Sequence, residues 1–342
     1  MKRRDPETAI VFVGARRGLE TRLVPEAGYP LVTLPLTGLK GSSLTGKMTA
    51  AARAAWAVAR CMGWMARRRP DLVVGVGGYA SGPAVLAAKL LRVRTMVLEQ
   101  NHFPGATNRW LAPRVDAVCL PSEAARRHIG GRAFVTGNPV RAEFFEISDA
   151  PADARLSLLV FGGSRGARSI NRAVTAALPA LAGTPGSLSI VHQSGIEDET
   201  EVRKAYENFP GPHEIRPFLN DMPQRLAAAQ LVVCRAGAST LAELCAAGRP
   251  SILVPYPHAA DDHQTRNAET LVDAGAARML AEQNLDGENL AALIAELAAD
   301  PGRRREMGQA ARALARPDAA RDIVDLAMRL IDGLPLEEGR PA

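Results

Sequence analysis

The feature that most constrains the fold is a series of short apolar runs, each closed by glycine, proline or a polar residue and followed by a helix-like segment. The first five runs lie at 9–14, 71–78, 95–100, 117–122 and 133–138, with helical patterns at 47–69 and 82–91. Continuous apolar runs of this length are typical of strands that are buried on both faces. The alternation predicts a parallel sheet with helices on both sides.

The same alternation begins again after a segment rich in Asp, Ala and Pro at 144–156. Five more apolar runs follow at 156–164, 187–195, 213–219, 231–237 and 251–257. The chain is therefore predicted to be an α/β protein of two Rossmann-like doubly wound domains that face a cleft. We expect a first domain at 1–143, a second at 152–317, and a C-terminal segment at 318–342 whose amphipathic helix crosses back to the first domain.

Charge is divided unevenly along the 342 residues. Residues 1–150 hold 22 Lys and Arg against 11 Asp and Glu, whereas the whole chain has 42 against 36 and a net charge of +6. A basic first half indicates an anionic partner, which can be nucleic acid, a phosphate-bearing ligand or an anionic membrane. The sequence shows no run of about 20 apolar residues and no signal-peptide pattern, and its four cysteines form no CxxC pair, which fits a reducing compartment.

Two glycine-rich turns follow predicted strands and open predicted helices. The sequences are GVGGYASGPAVLAAKL at 75–90 and LLVFGGSRGARSINRAV at 158–174. Glycine permits positive φ and close backbone approach, and the free N–H groups of a helix N-terminus attract phosphate. One such turn in each predicted domain indicates that phosphate groups bind in the cleft. The alternative is two tight strand-to-helix turns without a ligand.

A dinucleotide-binding interpretation competes at the first turn. Gly75, Gly77 and Ala80 fit G-x-G-x-x-A, and Glu99 ends the next strand near the position where an acid holds a ribose. That pattern would make the protein an NAD-dependent oxidoreductase. It leaves unexplained the second glycine turn and the polar residues that follow Cys234.

Six motifs in order resemble the MurG glycosyltransferases over nearly the whole chain. They are GVGGYASGP (75–83), EQN (99–101), GNPVR (137–141), FGGSRGA (161–167), CRAGASTLAE (234–243) and DDHQTRNA (261–268). The resemblance implies a GT-B fold. It also implies transfer of N-acetylglucosamine from UDP-N-acetylglucosamine to lipid I, which gives lipid II for peptidoglycan synthesis and thus serves cell shape and division. Inversion at the anomeric carbon, with no metal ion and no cofactor, comes with the family.

The resemblance assigns the donor site residue by residue. Ala238 to Thr240 match the helix N-terminus beside the UDP diphosphate, Glu243 the acid that accepts hydrogen bonds from the ribose hydroxyls, and Gln264, with His263, the contacts to the transferred sugar. The complete set of residues expected to bind UDP-N-acetylglucosamine is Asn101, Arg141, Ser164, Leu219, Ala238, Ser239, Thr240, Leu241, Ala242, Glu243 and Gln264.

On the acceptor side, the resemblance makes the first glycine turn a cradle for the lipid pyrophosphate. Its residues are Gly77, Gly78, Tyr79, Ser81 and Gly82. The helix at 46–71 combines Trp, Met and Arg, and it is either a core helix with a basic outer face or a surface that docks on anionic lipid. Because the family's acceptor is membrane-bound, we expect docking at the cytoplasmic face of the membrane as a peripheral protein, and no nucleic acid as partner.

The sequence departs from the family at its beginning. The family opens with a strand, a glycine-rich loop that contains a Thr-Gly-Gly-His run, and a helix, whereas this sequence starts at what corresponds to the second strand. The histidine of that run is the family's leading candidate for the general base, so the catalytic base is left unassigned here. A doubly wound domain without its first strand is expected to have unpaired strand edges and exposed apolar faces.

Several alternatives remain at this level. The chain can be another GT-B glycosyltransferase, a UDP-sugar epimerase of similar shape, or a catalytically impaired binder of UDP-sugar or polyprenyl pyrophosphate. His102 is attractive as a base, but it lies where the family places none, and a structural role is favoured. The run HAADDH at 258–263 could hold a metal, but helix dipoles can neutralise a diphosphate without one.

Overall fold

A computed structural model describes residues 1–16, 18–34, 44–149, 155–163, 166–183 and 188–336. The described chain divides into two compact units. The first unit contains Met1–Gly137 and Asp318–Ala342, and the second contains Asn138–Pro317. Both are parallel α/β units, as the alternation of strands and helices predicts.

The first unit contains six strands and six α-helices among its described residues. In chain order they are β1 (Phe12–Ala15), α1 (Glu20–Glu26), β2 (Leu31–Leu34), α2 (Leu44–Arg68), β3 (Leu72–Gly75), α3 (Gly78–Leu90), β4 (Arg94–Leu98), α4 (Ala106–Leu111), β5 (Ala117–Leu120), α5 (Glu123–Arg126) and β6 (Ala133–Val135), with α14 (Ala319–Ile331) from the C-terminal segment.

The strands of the first unit form two separate parallel sheets. One has two strands, in the order β1-β2, and the other has four, in the order β3-β4-β5-β6. Among the described residues β1 pairs only with β2, and β3 only with β4. Phe12 is 42% exposed and Val76 is 57% exposed. Among the described residues of this unit, the two sheets are thus not joined to each other, and some apolar side chains of the strands and turns are partly exposed.

Both faces of the four-stranded sheet are covered. On one face, Ile323, Leu326 and Leu330 of α14 pack against Met96 and Phe134 of the sheet. On the other face, side chains of α3 and α4 join apolar residues of β4 and β5. The two-stranded sheet packs instead with α2 and α3, whose buried side chains include Cys61, Met65 and Ala87.

The second unit also alternates strands and helices. In chain order its elements are α6 (Ala142–Phe145), β7 (Leu156–Phe161), α7 (Arg168–Leu181), β8 (Leu188–Gln193), α8 (Glu199–Tyr206), β9 (His213–Arg216), α9 (Met222–Ala228), β10 (Leu231–Cys234), α10 (Ala238–Ala247), β11 (Ser251–Leu253), α11 (His263–Asp273), β12 (Ala277–Met279), α12 (Gly287–Ala299) and α13 (Pro301–Ala313).

One continuous parallel sheet forms the centre of the second unit, with the strand order β12-β11-β10-β7-β8-β9. All four residues of β10 are buried, as expected for a strand covered on both faces. The α7 helix covers one face with Ile170, Val174, Leu178 and Leu181, whose spacing of three to four residues gives a single apolar side. The other face packs against α6, α9, α10 and α11.

The predicted strands are in the right places but end sooner than expected. The run at 71–78 forms a strand only at Leu72–Gly75, and the run at 251–257 only at Ser251–Leu253. The trailing glycines and prolines belong to the turns that follow. Two short strands, β2 and β12, were not among the predicted runs. The segment 144–156, interpreted as a weak linker, begins with Phe144 and Ile147 in the core of the second unit.

Candidate functional site

The strand order of the second unit reverses between β7 and β10. In sheets of this kind, ligands bind outside the carboxyl ends of the strands at this reversal. A cavity of about 1000 Å³ lies there. It is lined by Gly162, Gly163, Gly166, Ala167, Arg168, Ser169, Arg172, Ala173, Ala176, Arg235, Gly237, Thr240, Tyr256, Gln264, Glu282, Leu285, Asp286 and Gly287. The turns after β7 and β10 and the N-terminal residues of α7, α10 and α12 thus line one cavity.

Glycine is required in the turn after β7. Gly163 and Gly166 have φ of 91° and 76°, in the left-handed region that other residues rarely adopt. A Cβ on Gly166 would also stand 2.5 Å from the carbonyl oxygen of Ser194. This turn allows α7 to begin directly at the cavity, with its first N–H groups available to an anion. Ser164, the residue of this turn that was predicted to bind the donor, lies outside the described residues.

Arg235 joins the loops beneath the cavity. Its guanidinium donates hydrogen bonds to the carbonyl oxygens of Val254 and Pro255, to Ser169 Oγ at the start of α7, and to the carboxylate of Glu282. The side chain is 11% exposed. Because a buried guanidinium needs its hydrogen-bonding groups satisfied, this residue fixes the ends of two strands and one helix relative to each other. The sequence analysis quoted the motif that contains Arg235 but gave this residue no role.

Glu243 lies on α10, one turn after the helix N-terminus at the cavity. Burial raises the pKa of its carboxyl group, and the nearby positive charge of Arg141 acts in the opposite direction. Glu243 and Arg141, both predicted to bind the donor, therefore interact electrostatically within this unit. A half-buried carboxylate can accept two hydrogen bonds from neighbouring hydroxyls, and bonds to a charged acceptor are the stronger kind.

Gln264, Thr240 and Leu219 occupy three different positions around the same strand ends. Gln264 and Thr240 line the cavity, and Gln264 Oε1 accepts a hydrogen bond from the backbone N–H of Tyr256 at 3.0 Å. Leu219 is 5% exposed and packs in the core of the second unit. The backbone N–H of Leu219 donates a hydrogen bond to Oε1 of Gln193. The Nε2 of the same glutamine donates to the carbonyl oxygen of Gly163. Gln193, which the sequence analysis missed, therefore links Leu219 to the glycine turn.

A buried polar chain connects α7 to the strand beside it. His192 is fully buried, and its ring nitrogens contact Tyr206 Oη at 3.2 Å and Asn171 Oδ1 at 3.0 Å. Asn171 Nδ2 donates to the carbonyl of Ser194 and to Asp198. Since Asn171 Oδ1 can only accept, Nε2 of His192 carries the proton and Nδ1 accepts from the tyrosine. Burial lowers the pKa of His192 to about 4, so the ring is neutral at pH 7.

The first unit has its own glycine turn at the start of α3. Gly77 and Gly78 have φ of 90° and 78°, and Ser81 Oγ donates to the Gly77 carbonyl at 2.6 Å. The backbone of Tyr79 and Gly82 belongs to the first turns of α3. The five residues predicted to bind the acceptor pyrophosphate therefore form one turn and the helix start that follows it, where N–H groups lack partners within the helix.

Glu99 organises the loop that follows β4. This carboxylate is 3% exposed and accepts hydrogen bonds from the N–H and side-chain amide of Asn101, from the N–H of Gly105, and from Asn108 Nδ2. With these four protein donors, the carboxylate has no orientation left for a ribose. The dinucleotide interpretation is therefore wrong. Asn101, predicted to bind the transferred sugar, is held in place by Glu99.

His102, for which a structural role was predicted, contacts the side chain of Ser122. Its Nδ1 is 2.7 Å from Ser122 Oγ, and burial lowers the pKa of the ring to about 4. A neutral, half-buried imidazole paired with a hydroxyl is consistent with a structural role. Within the described residues, no group of three or more His, Cys, Asp or Glu side chains is arranged to hold a metal ion, the 258–263 run included.

The outer face of α2 carries tryptophan and arginine. Trp56 is 47% exposed, with the Arg60 guanidinium 5.3 Å from the centre of its ring. A shallow cavity of about 450 Å³ follows along the helix, lined by Arg60, Gly63, Trp64, Arg67 and Arg68. Ala57, Cys61 and Met65 form the buried face of the same helix. In the part of the chain that the structure describes, no helix is both long and apolar enough to cross a membrane.

Comparison with known proteins identifies the class of enzyme to which the chain belongs. Residues 1–120 match the glycosyltransferase family 28 N-terminal domain and residues 157–323 match the glycosyltransferase family 28 C-terminal domain. The structure is similar to that of Acinetobacter baumannii MurG, with a TM-score of 0.77 and 30% identity over 95% of this chain and 92% of that one. The fold and the two matched domains define a GT-B glycosyltransferase.

Two curated relatives narrow the family. The UDP-N-acetylglucosamine--N-acetylmuramyl-(pentapeptide) pyrophosphoryl-undecaprenol N-acetylglucosamine transferase of Geotalea uraniireducens (strain Rf4) is 45% identical over 94% of this chain and 90% of its own length. The protein of the same name from Myxococcus xanthus (strain DK1622) is 44% identical over 96% of this chain and 86% of its own length. The chain belongs to this family of N-acetylglucosamine transferases, the MurG family.

Likeness to other enzymes of this shape concerns the fold alone. A putative UDP-N-acetylglucosamine 2-epimerase from Listeria monocytogenes has a TM-score of 0.68 but only 14% identity to this chain. The epimerase alternative therefore gains no support from the sequence.

Proposed function

We propose that the protein transfers N-acetylglucosamine from UDP-N-acetylglucosamine to lipid I, the pyrophosphate-linked N-acetylmuramyl pentapeptide lipid, and so forms lipid II. The observation that carries this proposal is about 45% identity, over 94% of this chain and 90% of the relative, to an enzyme named for this reaction. It is a hexosyl transfer: an acceptor hydroxyl forms a bond to the anomeric carbon, the bond from that carbon to UDP breaks, and the hydroxyl proton passes to a base.

In the second unit, different residues are proposed to bind the ribose, the diphosphate and the sugar of the donor. Glu243 accepts hydrogen bonds from the ribose hydroxyls, with Arg141 as its neighbouring cation. The N-terminus of α10, at Ala238 to Thr240, and the glycine turn before α7 offer N–H groups to the diphosphate, which carries growing negative charge as the bond to the sugar breaks. Gln264, held by the Tyr256 N–H, contacts the transferred sugar.

In the first unit, the turn from Gly77 to Gly82 is proposed to hold the acceptor pyrophosphate through the free N–H groups of α3. Asn101, fixed by Glu99, is proposed as a contact to the donor sugar. The catalytic base is not assigned, since none of the described acids and histidines combines a free side chain with a position that the family resemblance supports. His102 is already paired with Ser122.

The donor assignment is tested by Glu243→Ala. Hydrogen bonds to a charged group contribute about 1.5–3 kcal/mol, so affinity for UDP-N-acetylglucosamine should fall roughly 10- to 100-fold in calorimetry. Glu296→Ala, which alters an exposed carboxylate paired with Arg278 in the same unit, is the matched control and should bind normally. Release of UDP that depends on lipid I distinguishes the proposed transferase from an epimerase or a binder. A folded Glu243→Ala protein with wild-type affinity would overturn the ribose assignment.

Membrane association at the cytoplasmic face is a second part of the proposal. It is supported by the exposed Trp56, the arginines along α2 and the basic first half of the chain. The protein should bind vesicles that contain anionic lipid, and binding should weaken with salt because the attraction is screened beyond about 8 Å at physiological ionic strength. Replacing Arg67 and Arg68 with Ala should weaken binding by about 1 kcal/mol per charge. Equal binding to neutral and anionic vesicles would contradict an electrostatic contribution.

A further inference from the structure

One buried side chain joins two loops at the carboxyl ends of the strands in the second unit. Gln193 is the last residue of β8, and in the sheet it is paired with Phe161 of β7 and with Arg216 of β9. Its Nε2 donates to the Gly163 carbonyl at 2.8 Å, and its Oε1 accepts from the Leu219 N–H at 3.1 Å. The side chain therefore links the glycine turn after β7 to the loop after β9, across the end of its own strand.

The two hydrogen bonds of Gln193 fix the orientation of its amide. A backbone N–H can only donate and a carbonyl oxygen can only accept, so Oε1 must face Leu219 and Nε2 must face Gly163. The Gly163 carbonyl also accepts from the Gly166 N–H at 3.0 Å, which closes the turn. Because both lone pairs of this oxygen are then used, the conformation of the glycine turn depends directly on Gln193.

The two loops lie beside different parts of the proposed UDP-N-acetylglucosamine site. The glycine turn opens α7 at the cavity, where N–H groups are proposed to bind the diphosphate. Leu219 belongs to the same apolar core as Leu241 and Leu244 of α10. The same helix carries Glu243, which is proposed to bind the ribose. The loop after β9 is therefore on the nucleoside side of the site, and the glycine turn is on the diphosphate side.

The separation of these two loops matters because the nucleoside and the diphosphate are parts of one molecule. Joined groups bind more tightly than separate ones only when both of their subsites can be occupied at once. A site whose loops already stand at the correct separation avoids the cost of ordering them on binding. Since β8 lies between β7 and β9 in the sheet, a side chain at the end of β8 is suited to hold the loops of both neighbours.

We propose that Gln193 is a positioning residue for the sugar donor, which holds the nucleoside and diphosphate subsites at the separation that UDP requires. Gln193 is buried and is not among the residues that line the cavity, so it acts through Gly163 and Leu219 and not by contact with the ligand. This inference rests on the proposed function, from which it takes the ligand. The alternative is that Gln193 only stabilises the sheet.

The test compares UDP with its two parts in the variant Gln193→Leu, which removes both hydrogen bonds and keeps a side chain of similar size. Calorimetry gives the dissociation constant of UDP, and uridine and inorganic pyrophosphate are titrated as competitors against UDP. The variant should bind UDP about ten-fold more weakly than the wild type does, the effect of one to two ordinary hydrogen bonds. Uridine and pyrophosphate each need only one of the two loops, so both should bind about as well as to the wild type.

The variant Gln193→Asn tests the length of the link, and it carries the comparison should Gln193→Leu not fold. It keeps the amide on a side chain that is one methylene shorter, so the amide can reach one of the two loops but not both. Affinity for UDP should fall as in Gln193→Leu. Wild-type affinity for UDP in either variant would overturn the proposal that Gln193 spans the two loops.

Gln230→Leu is the matched control. Gln230 is a buried glutamine of the same unit that accepts from the Ser157 N–H near the amino end of β7, at the opposite end of the sheet. The control should lower the free energy of unfolding but leave the affinity for UDP unchanged.

Equal weakening of UDP binding in Gln230→Leu and Gln193→Leu would assign Gln193 to the stability of the sheet and overturn the proposal. A loss of affinity for uridine and pyrophosphate as large as that for UDP would also overturn it, since the separation of the loops would then play no part. If the wild-type protein does not bind UDP, the proposed function itself fails, and this is seen before any variant is compared.

Discussion

The two units share one fold class but differ in the continuity of their sheets. In the second unit, β7 has a neighbour on each side, and the strand order reverses inside one six-stranded sheet. In the first unit, the strands are divided between β1-β2 and β3-β6, and apolar side chains such as Phe12 and Val74 are 42% and 37% exposed. The same alternation of strands and helices therefore gives one continuous sheet in the second unit and two separate sheets in the described part of the first.

The difference shows that the point where the strand order reverses in the second unit also contributes to stability. In the second unit, the strands on both sides of this point are buried, so the turns after them are held by packing as well as by Arg235. In the first unit, β1 and β2 pack with the helices α2 and α3, and β3 pairs on one side only, with β4, among the described residues. We expect the local stability of the two units to differ most at these strands.

Amide hydrogen exchange tests this difference and should show the largest effect. A two-stranded sheet is marginal without further support, whereas central strands open only on global unfolding. The amides of Val13 and Gly14 in β1 should therefore exchange with opening free energies about 5 kcal/mol lower than those of Leu159 and Val233, a difference at the low end of a global free energy of unfolding. Similar protection at all four positions would show that the divided sheet is as stable as the continuous one.

The substitution Arg235→Ala should remove the main polar support beneath the cavity of the second unit. Breaking a buried ion pair by removing one partner costs about 3–5 kcal/mol, because it leaves an uncompensated charge on Glu282. The loss in the free energy of unfolding is measured by urea unfolding, with far-UV circular dichroism as the signal. Arg303→Ala, which breaks the exposed pair with Glu306, should cost at most about 1 kcal/mol. Equal costs for both variants would contradict the role of Arg235 in joining the loops.

Acid should destabilise the second unit through His192. In the folded state its pKa is about 4, below the ordinary value of 6.5, so the unfolded chain takes up the proton first as the pH falls. Stability is therefore lost between about pH 6.5 and pH 4 and stays level below that, for a total of about 3 kcal/mol. His192→Gln should give a flatter stability profile over this range, measured by urea unfolding at several pH values. Parallel profiles of stability against pH for the wild type and the His192→Gln variant would contradict a contribution from His192.

The positions of the strands and the two glycine turns could be predicted from the sequence because periodicity and glycine placement are local signals. Strand ends were overestimated at Gly77 and Pro255, where the apolar character continues but the backbone turns. The strand at 277–279 contains a central arginine, and the strand at 31–34, although apolar, is only four residues long and is flanked by Pro30 and Pro35 in the sequence. The MurG family, to which the chain belongs, was recognised from the resemblance of six ordered motifs. Periodicity and residue chemistry alone would have predicted only the fold class.

The buried polar residues that hold the loops of the candidate sites in place could not be predicted in the same way. Arg235 and His192 act through partners that are distant in sequence, such as Glu282 for Arg235 and Asn171 for His192. The donors to Glu99 are close in sequence, but they lie in an irregular loop whose course has no periodic signal. An arginine before a glycine turn or a histidine within a strand has no local signature of its role. For the same reason, the contact between α7 and α12 beside the cavity could not be predicted, since the two helices are separated by more than 100 residues.

Gly287 has a consequence for how such a site can diversify. A Cβ at this position would stand 2.7 Å from backbone and side-chain atoms of Ala176, so α7 and α12 lie at the closest distance that two chains allow. The spacing of the helices is therefore fixed, and the turns that line the rest of the cavity keep their geometry when nearby side chains change. A larger side chain at Gly287 or at Ala176 would force the two helices apart, so we expect changes in ligand preference to come from cavity positions outside this contact.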